Sequence, residues 1–224
     1  VQYGADAIGG VVVTEPVDLP LKAGLRGEVC AMGGTNGRGG GANALLQGGV
    51  QGVEGLGWRV QGSGRRFGDL HAPDYILSNT GLRDAGGSMA AGWRTPRQGV
   101  QLYYSYFERD FGILRAAHIG SLSDLQRAIT SELPWYTAPF SYAIDVPRHH
   151  VRHQLGKAEV RRFLSERDQV AFTYAFQLDE RAEYDTRRGG RSTRPALDLR
   201  LRTHTGDLVL KHSIGRRMHG KAGI

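Results

Sequence analysis

The chain has 224 residues, a single Cys, 33 Gly and a formal net charge of +7. It contains no apolar run of the ~18 residues that a membrane-spanning helix needs and no basic-then-apolar leader, and the lone Cys30 excludes an internal disulfide framework and a Cys-based zinc site. A sequence pI near 9.8 would suit a nucleic-acid binder, but the Arg residues are spread over the whole chain and form no stripe, so nucleic acid is not an expected partner.

Helical periodicity is nearly absent and period two is common. Strands are expected near 27–35, 42–53, 58–67, 83–93, 99–110, 148–163, 169–181 and 196–212, with a ninth beginning near 218. Trp58 and Val60 oppose Arg59, Gln61, Ser63 and Arg65. Val100, Leu102, Tyr104 and Tyr106 oppose Gln101, Tyr103 and Ser105. The stretch 151–164 alternates poorly and is assigned as strand from its position. The cleanest alternation sets Val170, Phe172, Tyr174, Phe176 and Leu178 against Ala171, Thr173, Ala175 and Gln177. Leu197, Leu199 and Leu201 oppose Asp198, Arg200 and Arg202, and the parity then changes before Leu208, which predicts a bulge near 204–206. Gly is about twice its usual share. It sits inside these runs and at turns, where curved sheets need bends and close backbone approach.

The connections carry more information than the strands. Joins at 54–57, 94–98, 164–168 and 213–217 are short, while those at 68–82, 111–147 and 182–195 are long. After the first hairpin they alternate, which puts every long loop at one end of the sheet. Transmembrane barrels have this arrangement as a rule. Most runs also reach the ~9–11 residues that a tilted strand needs to cross a bilayer. Trp58 and Trp93 flank short turns, where an aromatic girdle would meet the inner interface; ordinary core positions are the alternative. Within the longest loop, Leu122, Leu125 and Ile129 fall at helical spacing behind a Ser121-x-x-Asp124 cap.

Several constellations invite a chemical reading. On a strand, His149 and His153 would share a face about 13 Å apart, too far for one ion, with His150 on the other face. No metal is expected there. Gly37-x-Gly-Gly-Gly41 lacks the Lys-Ser/Thr of a phosphate loop and reads as a flexible hairpin tip. No Gly-x-Ser-x-Gly elbow or triad appears, and no cofactor is expected.

The stretch Tyr3-Gly-Ala-Asp-Ala-Ile-Gly-Gly-Val-Val12 resembles the closing segment of the plug in TonB-dependent outer-membrane receptors. Tyr103-Tyr-Ser-Tyr-Phe107, Gly112-Ile-Leu-Arg-Ala-Ala-His-Ile-Gly-Ser121, Arg187-Arg-Gly-Gly-Arg-Ser192 and Pro195-Ala-Leu-Asp-Leu199 resemble barrel strands and outer loops of the family's iron-complex receptors. The resemblance implies an all-β protein: a partial transmembrane, antiparallel, up-and-down β-barrel with about 8–9 of about 22 strands, preceded by the last β segment of a plug domain. Residues 1–20 would be the C-terminal end of the plug and 21–224 the N-terminal portion of the barrel. A start without Met fits a mature form or a fragment, and the resemblance favours an internal fragment of a longer receptor.

The implied function is TonB-dependent active uptake of a metal chelate, most often a ferric siderophore, at the outer membrane of a Gram-negative bacterium, without covalent chemistry. Implied partners are the TonB complex, the chelate, and outer-membrane lipid with its lipopolysaccharide. Arg187, Arg188 and Arg191, with Arg194, form a basic outer loop suited to lipopolysaccharide phosphates or an anionic chelate, with a solvated Gly-containing tip as the alternative. Arg115 and His118 join them as ligand-contact candidates by position in the long loop. Two other readings stay open: a passive or adhesive outer-membrane barrel of porin type, and a soluble basic all-β binding protein. The plug-like stretch before the first strand discriminates against the former, and the one-sided long loops against the latter.

Overall fold

The computed structural model describes residues 17–117, 119, 121–186, 193–214 and 218–224. The elements in chain order are β1 (Gly24–Gly34), β2 (Gly39–Gly49), β3 (Leu56–Phe67), β4 (Leu70–His71), β5 (Ile76–Leu77), β6 (Leu82–Arg94), β7 (Gln98–Gly112), a 3-10 turn (Arg115–Ala117), α1 (Leu122–Thr130), β8 (Arg148–Phe163), β9 (Asp168–Tyr184), β10 (Leu197–Ile214) and β11 (Met218–Gly223). Nine strands form one antiparallel meander in the order β1-β2-β3-β6-β7-β8-β9-β10-β11, and β4 and β5 make a separate small hairpin. The protein is all-β, as expected. The sheet is open among the described residues, with β1 and β11 at its two edges. The plug-like stretch 3–12 lies outside the described residues.

Strand positions agree closely with the alternation. The poorly alternating stretch is indeed a strand, β8, because Arg148–Phe163 is paired on both sides along its full length. The short joins fall at one end of the sheet, at 50–55, 95–97 and 164–167, and the long joins 68–81, 113–147 and 185–196 at the other. Strands lengthen from 11 residues in β1 to 18 in β10.

Cross-strand pairing assigns every side chain to one of two faces. One row runs Val60–Met89–Tyr104 and another Val160–Phe172–Leu208. Together with Leu25, Val29, Leu46, Trp58, Trp93, Val100, Leu102, Val170, Tyr174, Phe176 and Leu178 they make an apolar face. Paired residues on the opposite face include Gln47–Arg59–Ala90, Arg65–Asp84–Arg109 and Glu159–Thr173–Asp207, so that face is largely polar.

Two expectations are corrected. β10 pairs with β9 without interruption from Leu197 to His212, so there is no bulge near 204–206. Leu197, Leu199 and Leu201 stand on the polar face and Leu208 and Leu210 on the apolar one. The hydrophobic parity changes because the environment changes along the strand, while the register stays constant. Second, the Gly37–Gly41 run is not a loose tip. Only Gly37 and Arg38 lie in the turn, both with positive φ (81° and 43°), and Gly39 already belongs to β2. The Phe67 ring fills the notch these glycines leave: a Cβ on Gly39 would stand 2.5 Å from that ring, and one on Gly34 2.9 Å.

α1 forms where the spacing placed it. The Ser121 side chain accepts a hydrogen bond from the Asp124 amide at 3.2 Å, the expected N-cap. Its Leu122 and Ile129 stay exposed.

Candidate functional site

The chain presents three candidate surfaces: the polar face, the cap of loops at the long-join end, and the charged border where the apolar face stops.

The polar face is engaged from below by residues 17–21. Arg59 donates from Nη1 to the Val17 carbonyl at 3.0 Å and from Nη2 to the Asp18 carbonyl at 3.1 Å, and its Nε donates to Gln47 at 2.9 Å. Arg94 pairs with the Asp18 carboxylate at 3.2 Å. Leu19, one of only two buried hydrophobics among the described residues, sits against Gly57 and Gly92, where a Cβ would collide. The segment before the first strand is thus held against the polar side at the short-turn end. Arg59→Ala should speed amide exchange at Leu19 and Leu21 about fivefold, the equivalent of losing about 1 kcal/mol of hydrogen bonding; hydrogen–deuterium exchange checks it.

Higher on the same face, the Asp84 carboxylate accepts from Arg65 Nε at 2.7 Å and from Arg109 Nη2 at 3.0 Å. The Arg109 guanidinium also stacks 5.1 Å from the Phe107 ring centre. His149 and His153 share this face and face Glu183 and Asp179 at 3.8 and 3.6 Å, whereas His150 stands on the other face beside Asp110. The geometry agrees with the strand reading that kept these histidines from sharing one ion.

The cap is built on buried polar groups. Asn79, in the left-handed region at φ 65°, donates from Nδ2 to the carbonyls of Ile113 (2.9 Å) and Pro147 (2.8 Å) and accepts the Asp145 amide at 2.8 Å. Asp69 accepts the amides of Thr80 and Ser141 at 2.9 and 3.2 Å. Tyr142 donates to the Arg38 carbonyl at 2.6 Å, and the Arg38 guanidinium lies over Phe140. These contacts tie the long loop 113–147 down onto the loop 68–81 and the first hairpin.

Of the ligand-contact candidates, Arg115 is described. Its Nη1 donates to the Tyr136 hydroxyl at 3.0 Å and its amide donates to the Ser78 carbonyl, so it braces the cap. His118, Arg187, Arg188 and Arg191 lie outside the described residues.

The third surface was not singled out in the sequence. On the apolar face, β3 and β6 to β10 turn charged toward the long-join end without changing parity. Tyr106 is followed by Glu108 and Asp110, Leu178 by Glu180, Ala85 is preceded by Arg83, and Gly64 is followed by Arg66. Glu108, Arg152, Glu180 and Arg200 form one row across β7 to β10, with Arg152 at 3.5 Å and Arg200 at 3.3 Å from Glu180. Above it, Asp110 is 5 % exposed at its side chain and receives Arg83 at 2.9 Å, Arg148 at 3.5 Å and His150 at 2.9 Å. Glu108, Asp110 and His150 could offer metal-ligand atoms within 4.8 Å of one another. The guanidiniums of Arg83, Arg148 and Arg152 crowd the same carboxylates, however, and an added cation would be repelled. The signal that could have found this border was the persistence of parity across the change from apolar to charged.

Comparison with protein-family models, with curated proteins and with solved structures gives no match. The class that the geometry defines is a long-stranded antiparallel meander with one apolar and one polar face. Its functional reading rests on those faces.

Proposed function

We propose that this sheet is an arc of an outer-membrane barrel wall, from a TonB-dependent receptor that takes up a metal chelate, most often a ferric siderophore. One observation carries the membrane part. Among the described residues the only buried hydrophobics are Leu19 and Val209, while Val60, Met89, Leu102, Phe172 and many others on one face are exposed. A monomeric soluble protein rarely exposes contiguous apolar area beyond a few hundred Å², so this face wants an apolar neighbour. From Val170 to Leu178, β9 spans about 27 Å at ~3.4 Å per residue. A tilt of ~40° brings this to about 21 Å, close to the ~25 Å apolar band of outer-membrane barrels. Trp58 and Trp93 stand at its short-turn end. His204 lies within the band, where its Nδ1 meets the Tyr174 hydroxyl at 2.7 Å, which lowers the cost of placing both groups there.

The polar face would then line the lumen, with residues 17–21 as the lead-in from the plug. The cap loops would face the outside, where the chelate arrives. The receptor assignment itself leans on the plug-like stretch 3–12 and on the segment held by Arg59. A porin-type wall would have no use for that segment.

Single cysteines introduced in the full-length protein, with Cys30 replaced by Ser, test the wall. Positions 171, 173, 175 and 177 should react with a membrane-impermeant maleimide in permeabilised cells, and 170, 172, 174, 176 and 178 should be protected at least about tenfold. Equal labelling of both sets rejects the wall. Uptake of labelled ferric chelate that survives a protonophore rejects the receptor and leaves the passive barrel.

A further inference from the structure

The charged border contains a cavity of about 240 Å³ lined by Arg66, Arg83 and Arg148 with Asp110 and Tyr142. We propose that it binds the phosphate of an acidic glycolipid in the outer leaflet. The inference rests on the membrane reading of the apolar face.

Three guanidiniums line it and two of them, Arg83 and Arg148, pair with its one carboxylate, so the cavity keeps an excess of positive charge. Asp110 is already occupied: Oδ2 takes Arg83, and Oδ1 takes His150 and Arg148. Among the described residues no carboxylate lies within ion-pair distance of Arg66. Its guanidinium is instead held 5.5 Å from the Tyr142 ring centre, and that of Arg148 4.3 Å from Tyr184. Aromatic stacking fixes the plane of a guanidinium and leaves its N–H edge free, which suits bidentate phosphate binding. Asp110 and the strand pairing hold Arg83 and Arg148 in place, so little ordering cost remains at binding.

Position selects the source of the phosphate. Arg66, Arg83 and Asp110 form one row on the same face as Val60, Met89 and Tyr104, displaced toward the long-join end. An acyl chain lying along the apolar band would bring its headgroup to this row. A free anion would have no reason to bind on the side of the sheet that faces lipid.

The test titrates the full-length protein in detergent micelles with three probes: a phosphorylated acyl-glucosamine disaccharide, its dephosphorylated counterpart, and inorganic phosphate. The wild type should prefer the phosphorylated glycolipid by at least about tenfold, as expected for charge-assisted hydrogen bonds. R66Q/R148Q should bring the two glycolipids to parity. R148K keeps the charge but loses the fork, and should lose part of the preference. Equal affinity of the wild type for both glycolipids overturns the proposal, as does an undiminished preference in R66Q/R148Q. Binding of inorganic phosphate without any glycolipid preference overturns the lipid source. Quenching of Trp58 and Trp93 by brominated lipid reports insertion separately. If R66Q/R148Q is no longer quenched, R148K decides, and an unchanged preference there overturns the proposal. If the wild type is not quenched, the membrane reading fails, and the lipid assignment with it.

Discussion

Arg in place of Tyr174 should destabilise the membrane-inserted full-length protein by about 2–4 kcal/mol, the cost of a charge facing lipid near mid-bilayer. Tyr174 is the middle member of the apolar set 170–178 and sits in a row with Ala158 and Gly206. Neither neighbour offers a carboxylate, so a guanidinium there would have to reach for the interface. Part of the loss would come from the Tyr174–His204 hydrogen bond, worth about 1 kcal/mol. Tyr174→Phe measures that part alone. Thr173→Arg is the opposing control. It places the same charge on the polar face between Glu159 and Asp207 and should stay within about 0.5 kcal/mol of wild type. Denaturant unfolding in lipid vesicles measures all three. Equal costs for Tyr174→Arg and Thr173→Arg would mean that the two faces do not see different solvents, and the barrel-wall reading would fall.

Asn79→Ala should loosen the cap by roughly 3 kcal/mol. The change leaves the Ile113 carbonyl and the Asp145 amide without their side-chain partner, at about 1–3 kcal/mol each before relaxation, while the Pro147 carbonyl keeps the Ile113 amide as donor. Alanine also fits poorly at φ 65°, which adds about 1 kcal/mol. Asn79→Gly removes the hydrogen bonds but relieves the backbone, so it should be milder by about that amount. Limited proteolysis should cut the loop 113–147 faster in both variants while β9 and β10 stay protected. An unchanged cleavage rate would show that the cap is held by something other than Asn79. If the cap receives the chelate, binding should weaken in parallel with cleavage, since a loosened loop must be reordered each time.

Residues 1–16 carry the most specific part of the receptor resemblance and lie outside the described structure. The receptor assignment therefore stands on sequence, and the two-faced sheet stands on geometry. The Arg59 clamp on residues 17 and 18 is where the two arguments meet.

The strands, their faces over the apolar stretches, the end at which the long loops gather, and α1 with its Ser121 cap are all legible in the residues. All of these depend on local patterns. Period two follows from the pleat, loop length follows from counting, and a cap follows from one side chain and the amide three residues on. The charged border depends instead on neighbours from distant strands. Arg66, Arg83, Asp110 and Arg148 come from four different strands, and only register puts them around one cavity. The brace that Arg115 forms with Tyr136 and Ser78 likewise joins residues distant in sequence. The supposed bulge in β10 arose from assuming one environment along the whole strand. The unbroken pairing with β9 shows that the chain passes from an apolar to a charged zone, and a side chain's preference for one face reverses there because the surroundings of that face do.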